Sequence, residues 1–302
     1  MNIKKQPSCF VAQIDSSKFN KLRDLLIEEN FELGERPYAE FAAKKKGLSC
    51  TLYSSGKIVV QGKEMDSFIR YQLEPQILES FDYSYKDLNL DKTPRIGIDE
   101  SGKGDFFGPL CVAGVYADAE GIEKLSALGI KDSKKINDKQ ILVFAKEIRK
   151  ICRHNVVKFV PIKYNELYQK FGNLNKMLAW GHATAIANLV EHTGCHNVLI
   201  DQFAAEYVVQ NALNQKKISV DLKQRHKAES DVVVAAASVM ARAAYLDGLR
   251  SLEEEFSSPL PKGASAQVKE AARKFVRKHS EKELSSVAKR HFKTYKEVLE
   301  SL

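Results

Sequence analysis

Residues 95–110 read "RIGIDESGKGDFFGPL". Ile96 and Ile98 mark a strand that closes on adjacent carboxylates, Asp99 and Glu100, and runs into the turn Gly102-Lys103-Gly104. The apolar run "GPLCVAGVYA" follows, so the two segments read as adjoining strands joined by the glycine turn. Further on, "VVKFVPI" and "NVLID" read as strands, and "LNKMLAWGHATAIANLVEHT", "ESDVVVAAASVMARAAYLDGLR" and the segment 264–278 read as helices. This alternation predicts an α/β domain with a mixed sheet flanked by helices.

Upstream, "CFVAQID" reads as a strand. "SSKFNKLRDLLIEEN" reads as an amphipathic helix with a serine cap and an apolar stripe of Phe19, Leu22, Leu25 and Leu26. Residues 39–63 hold strand-like runs broken at Lys46-Gly47 and Ser55-Gly56, which suits a small antiparallel sheet, and "MDSFIRYQLEPQILESF" supplies another helix. The polar, proline-containing stretch "YKDLNLDKTPR" separates these regions. The expected domains are an N-terminal α+β domain, 1–90, and an α/β domain, 91–302.

A chain of 302 residues, 44% hydrophobic and 28% charged, can bury a sizeable core. It shows no apolar run of roughly eighteen residues and no signal-peptide core near its start, so a cytoplasmic protein without a membrane partner is expected. Its five cysteines are scattered and never form C-x-x-C, which favours small buried thiols over disulfides or metal thiolates. A net charge of +8 favours a polyanionic partner, foremost nucleic acid.

Gly97 to Lys103 fits the start of a P-loop, but Gly104 stands where a magnesium-binding Ser or Thr is needed, and Asp99 and Glu100 would repel a triphosphate. The acids make sense with cations between them and a phosphate. Carboxylates bind Mg²⁺ or Mn²⁺ through hard oxygens, and two such ions about 3.5–4 Å apart can serve an in-line phosphoryl displacement. Gly102-Lys103-Gly104 can then approach a diester closely while Lys103 adds positive charge. Consecutive strand residues point to opposite faces, so the strand is expected to end or bulge near Gly102 for Asp99 and Glu100 to share a pocket. Asp201, which closes "NVLID", is the best third ligand, because ligands collect at the carboxyl ends of strands in open α/β sheets. Glu229, Asp231 and Glu206 compete for a fourth place; Asp231 can equally cap the following helix, and Glu206 can sit on a surface loop.

"DESGKGDFFGPL" resembles the opening active-site motif of type 2 ribonucleases H, and Lys within Gly-Lys-Gly is similar to the HIII branch, where HII usually has Arg. "KDSKK" (131–135), "NLNKMLAWGHATAI", "LIDQF", "KAESDVVVAAASVMAR" and "KRHFKTYK" are similar to HIII segments in the same order. "FAAKKKGLSCTLYSSGKIVVQG" resembles the substrate-binding extension of that branch, whose fold is like that of the TATA-binding protein. The resemblance implies a ribonuclease H-like fold and an endonuclease that cuts the RNA strand of RNA–DNA hybrids with two divalent ions, leaving 5′-phosphate and 3′-hydroxyl ends. It implies Asp99, Glu100, Asp201 and Glu229 as the four acids, with Asp99, Glu100 and Asp201 as metal ligands. Ser101, Gly102, Lys103 and Gly104 would contact the backbone around the cleaved bond. Lys44, Lys45 and Lys46 would add affinity from the N-terminal domain, although a lysine run is also an ordinary solvated loop. No obligate protein partner is expected. A non-catalytic nucleic-acid-binding protein and an HII-like nuclease acting at single ribonucleotides in DNA are the alternatives.

Trp180 and His182 read as residues that pack or make a satisfied polar contact on their helix. Lys131, Asp132, Ser133 and Lys134 can touch phosphate, or Asp132 can cap the helix that starts near Asn137. The basic tail, including Lys269, Arg273, Lys278, Lys289 and Arg290, reads as a solvated helix surface.

Overall fold

The computed structural model describes residues 9–80, 83, 90–130, 136–226 and 228–301, so the "KDSKK" stretch lies outside the described residues. Two units divide the chain, Met1–Asp91 and Lys92–Leu302.

In the first unit, β1 (Phe10–Gln13), β2 (Glu32–Gly34), β3 (Ala39–Lys45), β4 (Leu48–Tyr53) and β5 (Lys57–Gly62) form an antiparallel sheet ordered β1-β5-β4-β3-β2. The turns at Lys46-Gly47 and Ser55-Gly56 join β3 to β4 and β4 to β5. Helix α1 (Phe19–Glu28) buries Leu22, Leu25 and Leu26, each worth about 1.5–3 kcal/mol when withdrawn from water. The expected serine cap is not used. Ser16 and Ser17 lie in a 3₁₀ turn that Asp15 caps by accepting from Ser17 N at 2.9 Å, and α1 follows from Lys18 with no side-chain cap of its own. The second helix of this unit also departs from expectation. It has one α-helical turn, α2 (Met65–Phe68), and then a π-helical stretch, Ile69–Leu78. Pro75 lies inside that stretch and has no N–H for a regular ladder.

The second unit is a five-stranded mixed sheet ordered β10-β9-β6-β7-β8. Strands β6 (Arg95–Ser101), β7 (Leu110–Ala117) and β8 (Arg153–Phe159) run antiparallel, and β9 (Asn197–Asp201) and β10 (Asp221–Arg225) continue from β6 in parallel. Helices α3 (Ala119–Leu128), α4 (Asp138–Ile151), α5 (Pro161–Phe171), α6 (Leu174–Thr193) and α7 (Glu206–Gln215) intervene. After β10 come α8 (Val232–Phe256), α9 (Ala266–Lys278), α10 (Glu281–Val287) and α11 (Lys293–Leu299).

Alternation along β6 assigns its two faces. A Cβ on Gly97 would sit 2.6 Å from the backbone of Val233 and Val234, so α8 lies directly on that face, and only glycine allows the approach. Ile98 pairs with Gly114, whose missing Cβ leaves room for Leu189 of α6, so α6 covers the other face. The small residues Ala235, Ala236 and Ala237 of α8 are buried in the same close contact. Among the described residues α8 is the one helix long and apolar enough to span a membrane, and 78% of its apolar window is buried inside the protein. Its hydrophobicity therefore belongs to the core. All five cysteines are free. Burial pushes the thiols of Cys50 and Cys111 up to about 12, which leaves them unreactive.

Candidate active site

The site forms where β6 and β9 part. Their parallel pairing runs from Ile96↔Val198 to Ile98↔Ile200 and goes no further, so the next residues on each strand, Asp99 and Asp201, stand at the mouth of a gap. The other edge of β6 stays regular, pairing Asp99↔Ala113, Glu100↔Val112 and Ser101↔Cys111 with β7. Of the two expected forms, an end or a bulge near Gly102, the strand therefore takes the end. The strand ends only at Gly102, which holds a φ of +90° and whose Cβ would strike the Pro109 carbonyl oxygen. Asp99 and Glu100 do point to opposite faces, and the cavity reaches both because it wraps the exposed edge of the strand. It measures about 330 Å³ and is lined by Asp99, Glu100, Ser101, Gly102, Lys103, Gly104 and Asp201, with Ser238 and Arg242 from α8.

Each carboxylate has its own surroundings. Asp99, on the α8 side, is pushed up to about 7, first by burial and then by the charge of Glu100, with Asp201 adding to it and the Ser238 hydroxyl opposing it. Glu100 faces α6. Burial pushes it up, but the His182 hydrogen bond, at 3.1 Å to Nε2, and Lys103, 3.7 Å from Oε1, together hold it below the usual carboxylate range. Asp201 accepts from Ala228 N at 3.0 Å, which brings the 3₁₀ turn carrying Glu229 alongside it. Glu229 is not among the residues lining the cavity.

The two rivals for the fourth acid are placed elsewhere. Asp231 caps α8, accepting from Val233 N at 2.9 Å and Val234 N at 3.3 Å, and pairs with Arg95 at 2.9 Å. Arg95 opens β6, four residues or about 13 Å of strand before Asp99. Glu206 is an exposed residue in the first turn of α7. Lys44, Lys45 and Lys46 belong to the first unit. Lys44 and Lys46 are exposed, whereas Lys45 bonds to Glu29 Oε2 at 3.3 Å and lies 4.7 Å from the Phe31 ring centroid.

The segment after the glycine turn is anchored by distant sequence. Phe106 N donates to Gly263 O, Gly108 N to Val287 O and Lys289 N to Phe106 O, each at 2.9 Å, and Phe107 bridges Ala288. Lys289 is the exception to the solvated basic tail. It is completely buried, its Nζ donating to Asp105 O at 2.7 Å, because those carbonyl oxygens and the Tyr164 ring offer its ammonium a polar seat.

A family profile described as Ribonuclease HII matches residues 96–295, and one described as a domain of unknown function, DUF3378, matches residues 9–87. A Ribonuclease HIII of Protochlamydia amoebophila is 52% identical, covering 96% of each chain, and one of Chlamydia felis is 48% identical over 97% and 98%. The chain belongs to the ribonuclease HIII family. The crystal structure of Bst-RNase HIII in complex with Mn²⁺ has a TM-score of 0.69 at 32% identity, covering 97% of this chain and 99% of that one. RNase H3 of Aquifex aeolicus gives 0.56 at 28%, covering 93% and 98%.

Among the described residues, no three Asp, Glu, His or Cys side chains enclose an ion by themselves. Such closure is not needed for Mg²⁺, which retains waters and binds through one or two carboxylates together with substrate phosphate. The donor set fits that mode: the charges of Glu100 and Asp201 both raise the proton affinity of Asp99, a crowding that a divalent cation relieves.

Three contributors were not singled out for this site in the sequence. Ser238 and Arg242 lie one helical turn apart on α8, a spacing that would have placed them together had the contact with β6 been known. Arg242 is held by Asp138 Oδ1 at 2.7 Å, and Lys262 also pairs with Asp138. His182, read as packing or making a polar contact, is fully buried and makes that contact through Nε2 with Glu100, a partner its own sequence does not reveal.

Proposed function

We propose that this chain is an endonuclease that hydrolyses the RNA strand of RNA–DNA hybrids, leaving 5′-phosphate and 3′-hydroxyl ends. The convergence of Asp99, Glu100 and Asp201 on one cavity beside Gly102-Lys103-Gly104, in a chain of this family, carries the reading. Two divalent ions, Mg²⁺ or Mn²⁺, would supply activation of the attacking water and stabilisation of the departing 3′ oxygen. Asp99, Glu100 and Asp201, with Glu229 as the fourth acid, are the residues that would hold them.

The chain's own groups do the rest. Ser238 orients the Asp99 carboxylate, and His182 fixes Glu100. Lys103 is 40% exposed, free to swing from Glu100 to a phosphate, and Arg242 adds a second cation on the α8 side of the cavity. A Cβ at Gly104 would meet no atom within 4 Å, which leaves open space for a sugar-phosphate backbone. Backbone groups of Ser101 to Gly104 read the ribose 2′-hydroxyl, the feature that separates RNA from DNA. Contacts of this kind carry little base information, so sequence preference is low. Residues 1–90 add affinity for the hybrid through the exposed Lys44 and Lys46, with Lys45 fixing the end of its strand.

Cleavage of a labelled hybrid under Mg²⁺ and Mn²⁺ titration tests this reading. The Asp99→Asn variant is expected to lose hydrolysis while still binding the hybrid within a few-fold of the unaltered chain. Undiminished cutting by that variant would refute it.

A further inference from the structure

The second unit carries a groove larger than the carboxylate cavity. It lies between the start of α6 and α7, measures about 540 Å³, and falls within the range of small-ligand pockets. Three aromatic side chains line it, Phe171 of α5, Trp180 of α6 and Tyr207 of α7, and Tyr207 is 68% exposed. Asn175, Asn211 and Gln215 supply amide donors and acceptors, Lys176 lines the groove, and Lys216 lies 5.0 Å from the Trp180 ring centroid. No Asp or Glu is among the described residues lining it.

The groove lies a short way along the chain from the carboxylate site, with which it shares no lining residue. Ala204 and Ala205 form part of its wall, and Ala204 is three residues beyond Asp201, no more than about 11 Å along the chain. Between them, Phe203 packs on His182 with ring centroids 4.5 Å apart, and Lys103 lies 5.8 Å from its centroid. A strand whose phosphate sits at Asp201 therefore meets the groove within a few nucleotides.

We propose that this groove holds an unpaired nucleotide of the cleaved strand where the RNA leaves the hybrid. An exposed aromatic offers a base a stacking surface, the amides can pair with base edges, and the lysines face an anionic backbone without a competing carboxylate. A base kept inside a duplex stacks on its neighbours and cannot also stack on Tyr207, so the groove favours junctions over continuous hybrid. The identity of the strand rests on the nuclease reading above; the occupancy of the groove does not.

Trp180 is the chain's only tryptophan, so its emission reports directly on this groove. The full chain, with divalent ions chelated, is titrated with a short blunt RNA–DNA hybrid and with the same hybrid carrying an unpaired RNA extension at its 5′ or its 3′ end. One of the two extensions is expected to quench Trp180 and tighten binding roughly tenfold, the value of one stacked base. Tyr207→Ala, a change at an exposed position, should abolish both effects and leave blunt-hybrid cleavage unchanged, and Lys176→Gln should reduce the affinity gain. If neither extension alters emission or affinity, or if Tyr207→Ala retains the full response, the groove is not such a site. Failure of the unaltered chain to cut blunt hybrid with Mg²⁺ or Mn²⁺ would instead overturn the nuclease reading, and the emission titration would still decide the groove.

Discussion

Replacing Lys289 by methionine should change how the stability of the second unit responds to pH. Burial pushes the Lys289 ammonium from 10.5 down to about 7, with the charges of Asp105 and Cys111 opposing the fall. Between those two values the unfolded chain keeps the proton and the folded chain releases it, so folding gains as pH rises and loses that gain as pH falls back through 7. Over pH 7 to 8.5, below the ordinary range of exposed thiols and phenols, this amounts to about 1.5 kcal/mol in favour of the unaltered chain. Methionine matches the length of the stem and cannot titrate. Urea unfolding followed by Trp180 emission at several pH values would give the difference in stability between the two chains. The stability of the unaltered chain relative to the variant should rise with pH by about that amount. Parallel stability curves across the window would refute the buried, readily deprotonated lysine.

Asp231→Asn breaks the buried pair with Arg95, whose side chains are 5% and 9% exposed, and should lower unfolding free energy by about 3–5 kcal/mol, read from urea curves. Gly97→Ala forces a methyl group into the backbone of α8 and should cost about 1–3 kcal/mol or more, with cleavage falling as Ser238 and Arg242 are displaced from the cavity. On duplexes containing a single ribonucleotide, cleavage should be poor compared with hybrids containing a longer RNA stretch; equal rates on both would place the activity with the HII-like alternative.

What could be read from the sequence was local. Strands β6, β7 and β9 announce themselves as short apolar runs, and the turns at Gly47 and Gly56 through their glycine chemistry. Features that depend on distant partners were hidden. Ile98 and Glu100 share a face, yet nothing near them reveals that His182, 82 residues later, meets Glu100. The strand ends just before Gly102, within the expectation of an end or a bulge there, but what lets Asp99 and Glu100 share the pocket was not legible: parting of β6 from β9 opens the strand edge to both faces. Lys289 was misread because a charged residue among other basic residues has the signature of a solvated surface, and only the carbonyl oxygens of Asp105 and Phe107 make its burial tolerable. Asp231 was legible as a helix cap, but its pairing with Arg95 spans 136 positions.

The attachment of Phe106, Phe107 and Gly108 to Val287, Ala288 and Lys289 sets an order of events during synthesis. The ribosome makes the glycine turn early and its clasp almost two hundred residues later, when most of the chain has already emerged. Until then the turn lacks its anchors at Val287, Ala288 and Lys289, and a nascent chain carries the acids without a rigid platform beside them. Competence at this site is thus acquired late, once residues 287–289 have reached the glycine turn.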